Sequence, residues 1–274
     1  MGCGVLAVGT RTFVPSDRPT SLTFYRGCYI LEGADTKIRR GDVMSVFGTK
    51  EEILEERLGN YAGYELSDSM YNLVVGATIS YGIWLNVLMV HWLGPIIGTT
   101  DTITFNVLFF VSYFFGVVIS RISNSAIVSF VGYNFIVIPI GLLFADVLPN
   151  LPIEIVQQAW MITGCVTLLM TVAATICPSL FEVLGFPLLI GLLGAIVTKI
   201  IFGLFGIGGA IFDWLFVIIF SLYIGFDWWR AQNCPKTANN AVDCAIDLYI
   251  DIINLFIQIL TILLRNDERK NRYL

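Results

Sequence analysis

The chain reads as an all-α polytopic membrane protein, and three observations predict it. Hydrophobic residues make up 56% of its 274 positions and charged residues only 14%, far from the balance of a soluble domain. From Tyr71 to Leu264 apolar runs follow one another, each near the ~20 residues that cross a bilayer as a helix. The last run, residues 240–264 (NAVDCAIDLYIDIINLFIQILTILL), carries carboxylates at Asp243, Asp247 and Asp251. Four-residue steps set all of them on one helix face, and Asn254 and Gln258 continue the stripe. A charge facing lipid at the bilayer centre is costly. This helix is therefore expected at the centre of the bundle, its other faces against apolar neighbours.

Residues 1–70 are of another kind, with eight Lys/Arg and ten Asp/Glu. They read as a polar, cytoplasmic extension. The opening MGCGVLAVGTRTF has neither the basic start nor the long apolar core of a secretory signal, and Leu6 stands where a myristoylation signal wants Ser or Thr. Residues 50–58 (KEEILEERL) predict a short surface helix, and Met44 is a candidate native start.

The spans are expected at residues 71–93, 103–119, 126–144, 155–176, 183–202, 207–229 and 240–264, making 71–264 the membrane domain and 265–274 a basic tail. Ser120-Arg121 stops the second, Asp146 and Pro149 close the third, and Cys177-Pro178 closes the fourth. The run 183–226 is too long for one crossing and is divided at Gly203, Gly206, Gly208 and Gly209. Gly185, Gly191, Gly194 and Ala195 predict close approach of the fifth helix to a neighbour.

With the N-terminus cytoplasmic, that side collects eleven Lys/Arg, including Arg121, Arg230 and Lys236, and the other side five: Lys199 and four in the tail. The count favours a cytoplasmic N-terminus. Seven crossings then leave the tail outside; a re-entrant last helix would instead return it. The first span serves as its own insertion signal in this reading, and the membrane is taken to be a bacterial plasma membrane. No basic stripe with interleaved aromatics suggests nucleic acid. The six cysteines (3, 28, 165, 177, 234 and 244) lack metal-ligand spacing and read as isolated small hydrophobes.

Ionisable groups inside the spans are few. Asp251 lies well within the last one, between Leu248, Ile250, Ile252 and Ile253, where a functional role is the better reading. Asp243 and Asp247, nearer the loop, read as a face that water reaches. Asp227 ends the sixth span close to Arg230. Asp213, fourteen residues earlier, is nearly four whole turns from it and is expected to line the same cavity. The last two spans are antiparallel neighbours across a short loop, so Asp227 and Asp251 can sit at similar depth. Two carboxylates in hydrogen-bonding distance share a proton and titrate as a unit, which makes a pH switch. Without the proton such a pair suits a transient calcium ion, since calcium prefers carboxylate and carbonyl oxygens.

The run Phe226-Asp227, followed by AIDLYIDIINLF at 245–256, resembles the closing signature of the transmembrane Bax inhibitor motif family. The similarity covers roughly residues 219–262, is supported by the span count back to Tyr71, and leaves residues 1–70 out. Trp228-Trp229 depart from the pattern, which has a small or hydroxylated residue after the sixth-span aspartate. The resemblance implies seven helices with the last one central and a pH-sensitive calcium leak. Asp227 and Asp251 would form its di-aspartyl sensor. It also implies an arginine at the end of the second span that engages the sensor, and Arg121 is the positional match. Asp213, Asp247 and Asn254 are candidate lining residues of the path.

Other classes fit less well. Intramembrane aspartyl proteases pair two such aspartates but also carry a Pro-Ala-Leu element, which is absent here. His91, the single histidine, lies at a span end beside Trp92, as an interfacial group would. No repeated halves suggest a proton-coupled transporter. The expectation is thus a non-enzymatic leak for calcium or other cations, with no organic cofactor. The alternative is a non-conducting protein that regulates a membrane partner such as a protease or a stress or cell-death factor.

Overall fold

The structure, a computed structural model, describes residues 65–97, 102–204 and 210–272. The polar extension up to residue 64, with its candidate start Met44 and the helix expected at 50–58, lies outside the described residues, as does the glycine junction at 205–209. The described residues form helices and no strand. In order they are α1 (Asp68–Ile97), α2 (Thr102–Ile122), α3 (Ala126–Val147), α4 (Ile153–Ile176), α5 (Pro178–Glu182), α6 (Gly185–Leu204), α7 (Ala210–Asn233) and α8 (Ala238–Arg272), with a 3-10 turn at Leu148–Asn150. All but α5 are long and apolar enough to cross a bilayer, giving seven spans among the described residues. The short α5 was not expected. It starts at Pro178, where a missing N–H costs nothing in a first helical turn, and returns the chain for α6.

The last helix is the axis of the bundle. α8 packs against α1, α3, α4 and α7, whereas α6 packs mainly on α7 and α2 mainly on α3. In the most apolar stretch of each span, 67% of α8 is buried against 11% of α2 and of α6. Lipid is as apolar as leucine, so nothing drives such outer faces inward; helix association rests on close packing and polar contacts. Phe110, Phe115, Ile190 and Ile200 accordingly stay exposed on the rim. Around α8 the packing is aromatic. Phe256 stacks on Trp160 with ring centroids 4.2 Å apart, and the rings of Tyr133 and Tyr249 meet edge to face at 5.2 Å. Asn86 of α1 donates to the Tyr249 hydroxyl, and Tyr133 donates to the Thr78 carbonyl at 3.1 Å.

Close backbone approach occurs elsewhere than expected. A Cβ at Gly191 or Gly194 of α6 would meet nothing within 4 Å. A Cβ at Gly132 would stand 2.9 Å from the Gly116 carbonyl oxygen, so α2 and α3 cross backbone to backbone. Gly225 of α7 likewise makes room for the Phe181 ring from α5. α6 lies at the edge of the bundle, and most of its glycines face outward.

α8 continues as one helix of 35 residues to Arg272, a length of ~52 Å, so the basic tail prolongs it. An unbroken helix of that length crosses the ~30 Å hydrocarbon core and does not turn back within it. Seven crossings set its end opposite the start of α1. The backbone N–H of Leu66, just before α1, donates to the Lys236 carbonyl in the α7–α8 loop at 2.8 Å, which marks the shared end.

Candidate functional site

At that end the acidic stripe of α8 turns inward and is met by two guanidinium groups. Arg121, on the last turn of α2, donates from Nη2 to Asp247 Oδ1 at 2.8 Å. Arg230, on the last turn of α7, donates to the other oxygen, Asp247 Oδ2, and its Nη2 also lies 3.5 Å from Asp227 Oδ1. Asp247 thus bridges two arginines from two helices. The reading of Asp243 and Asp247 as a face reached by water is overturned: each residue is only 8% exposed. Asp227 is wholly buried at 0% and Asp251 is buried too. Position near a loop misleads here because α2, α3 and α7 close over that turn of α8.

The neighbouring polar groups extend the site. Asn239 donates to Asp243 Oδ2 at 2.9 Å and accepts from the Ser129 hydroxyl of α3 at 2.9 Å, while its amide also reaches the Ser123 carbonyl. Tyr113 of α2 is within electrostatic range of Asp251, Asp247 and Arg121. Asn254, a candidate lining residue, donates back to the Ile250 carbonyl of its own helix at 2.9 Å. Lys236 is occupied otherwise: its Nζ donates to the Gln232 carbonyl and lies over the Tyr71 ring.

A second charged group sits at the far end. Asp213, 1% exposed, accepts from Lys199 Nζ of α6 at 3.3 Å and pairs with Arg265 of α8 at 2.6 Å. Its expected place in one cavity with Asp227 is not what the helix provides. Fourteen residues of α7 separate the two by ~21 Å along the axis, and Lys199 and Arg265, which meet Asp213, belong to the other end. Whole turns align a face but do not shorten the distance.

These pairs also give the alignment of α7 with α8. The residue numbers of Arg230 and Asp247 add to nearly the same total as those of Asp213 and Arg265, as antiparallel helices of equal rise require. Asp227 and Asp251 give that total as well, which sets them level. Arg230 is the residue that sequence reasoning undervalued, as a mere neighbour at the helix end. Its signal was a position one turn beyond Asp227, facing the α8 stripe across a short loop.

Among the described residues no group of three or more His, Cys, Asp or Glu side chains converges as ligands of a resident metal would. The carboxylates answer to arginines instead. A family model for the inhibitor of apoptosis-promoting Bax1 matches residues 66–268, the helical bundle up to the last turn of α8. The chain belongs to this family. Membership and the seven apolar helices make it an integral, multi-pass membrane protein whose surroundings are a lipid bilayer. Comparison with curated proteins and with solved structures gave no match. Within this Bax inhibitor-like chain the matched region includes both charged ends but excludes most of the polar extension.

Proposed function

We propose that the protein is a passive, proton-gated leak for calcium or other cations, with its gate at the Asp227, Asp247 and Asp251 level of α7 and α8. The observation that carries this reading is a cluster of buried carboxylates at one end of the bundle. Asp227, Asp243, Asp247 and Asp251 are all buried there, and among the described residues Arg121 and Arg230 bond to Asp247 while Arg230 also lies beside Asp227. Buried charge of one sign is relieved by a proton or by a cation. Protons at Asp227 and Asp251 would let these level side chains hold α7 to α8 and close the path. Loss of the proton leaves oxygen ligands that a passing calcium ion accepts in place of water. Arg121 and Arg230 position Asp247 and limit how much negative charge the site can show. Calcium is cargo in this scheme, and the protein itself forms no covalent intermediate. The start of α1 and the arginine end face the cytoplasm, on the count of Lys and Arg, and the membrane is a bacterial plasma membrane.

Purified protein in calcium-loaded liposomes tests the proposal. The efflux should fall on acidification, and Asp227→Asn or Asp251→Asn should flatten its pH dependence. Protein that orients in the vesicles but passes no calcium at any pH would overturn it and leave the regulatory alternative.

A further inference from the structure

The reading of the cysteines as isolated fails at one place. Cys234 lies between the sixth and seventh spans, just after α7, and Cys244 lies in the second turn of α8. Their sulfurs stand 3.8 Å apart, both buried, and the Tyr71 hydroxyl of α1 is 3.1 Å from Cys234 Sγ. Ten residues of sequence separate them, and only the antiparallel return of α8 brings them together. Their numbers add to the total that aligns Asp213 with Arg265, so the pair extends that register toward the loop.

We propose that Cys234 and Cys244 are a reversible dithiol–disulfide site that a hydroperoxide oxidises. A disulfide needs sulfurs about 2.0 Å apart, so about 1.8 Å must be closed, shared between Cys234 just after α7 and Cys244 in the early turns of α8. Side-chain rotation accomplishes a movement of that size without separating the helices. The remaining cysteines of the described region, Cys165 and Cys177, are exposed and belong to α4 and its end, so they do not compete for either sulfur.

The surroundings suit a nucleophilic thiolate at Cys234. A hydrogen bond from the Cys244 thiol draws its pKa down to about 6; burial opposes this, and Tyr71 and the charges of Arg230 and Lys236 assist. The Cys234 thiolate attacks one peroxide oxygen, the O–O bond breaks, and the leaving oxygen departs as water after taking a proton. Cys244 sulfur then attacks the sulfenic sulfur; the S–S bond forms, the S–O bond breaks, and a second water leaves. The two thiols give up two electrons and the peroxide takes them. A dithiol reductant reverses the change.

The bond would staple the loop to α8 one turn before Asp247 and one turn after Arg230, next to the main-chain bond from Leu66 to Lys236. Oxidation therefore stiffens the end of the bundle that holds the acidic site, whatever passes through it.

The full-length protein in detergent is exposed to hydrogen peroxide, its free thiols are blocked with N-ethylmaleimide, and unreduced peptides are sequenced by mass spectrometry. A 234–244 cross-link is expected, with a loss of about 2 Da that dithiothreitol restores and a rate that falls roughly tenfold per pH unit below about 6. Cys165→Ser with Cys177→Ser, at exposed sites, should leave the cross-link unchanged, and Cys244→Ala should leave a sulfenic acid on Cys234 that dimedone captures. Maleimide on both Cys234 and Cys244 after peroxide has consumed the exposed thiols would overturn the proposal. Cross-linking of either one to Cys165 or Cys177, or sulfinic acid at Cys234 in the wild type, would do the same.

Discussion

The two charged ends of the bundle share helices and differ in arithmetic. At the end shared with the start of α1, four buried aspartates gather around Arg121 and Arg230 among the described residues, whereas at the far end one aspartate, Asp213, meets Lys199 and Arg265. At the first end Arg230 is 8% and Arg121 22% exposed, whereas at the second Arg265 is 30% and Lys199 43% exposed. The cations of the second cluster are therefore more open to the surroundings than those of the first. The contrast teaches that burial alone does not make a switch. Several buried carboxylates gathered in one place make the local charge depend on what binds there, and a single ion pair at the edge merely pins helices in place.

The sharpest way to break this comparison is to remove Arg230. Arg230→Leu strands Asp227 and Asp247 with less positive charge in a buried place, and should cost about 3–5 kcal/mol, seen as a large fall in melting temperature in detergent. A fall no greater than that of an exposed-site control would show that the first end is as relaxed as the second. Asp213→Asn should do less, about 2 kcal/mol, because Arg265 and Lys199 can turn toward water once released. The smallest effect belongs to Lys199→Met, at about 0.5 kcal/mol or below, since a half-exposed pair is worth little and salt screens it. Adding salt should therefore shrink the Lys199 effect and spare that of Arg230. An Arg230 effect that vanishes in high salt would contradict the burial contrast.

Much of the architecture was legible because crossing a bilayer imposes a length and an apolar content that stand in plain sequence. Residues 126–144 and 155–176 fall within helices Ala126–Val147 and Ile153–Ile176. The inward placement of the last helix followed from its aspartates, since Asp251 has no tolerable place against lipid. What escaped were features without periodicity: α5 is five residues long, shorter than any hydropathy window. The glycines show the same limit. Gly116 and Gly194 both sit in apolar helices, yet one meets a backbone and the other meets open space.

The charged site was half legible. Asp251 stood out by its apolar flanks and Asp227 by facing it across a short loop, whereas Arg121 came only from the family resemblance, as a partner of that pair, and is bonded here to Asp247. Asp247 did not, because its depth beneath α2 and α7 depends on how those helices lean on α8. Cys234 and Cys244 were hidden for a related reason: ten residues apart says nothing until the turn between them is known to fold back on itself.

By itself the sequence determined which segments enter the membrane and which helix lipid cannot tolerate on its surface, because the cost of transferring each side chain is local and adds along the chain. Only the tertiary structure decided which acid meets which arginine and which glycine touches a neighbour. Those outcomes depend on the lean and rotation of whole helices, set by every contact along them at once, and no residue carries that information alone.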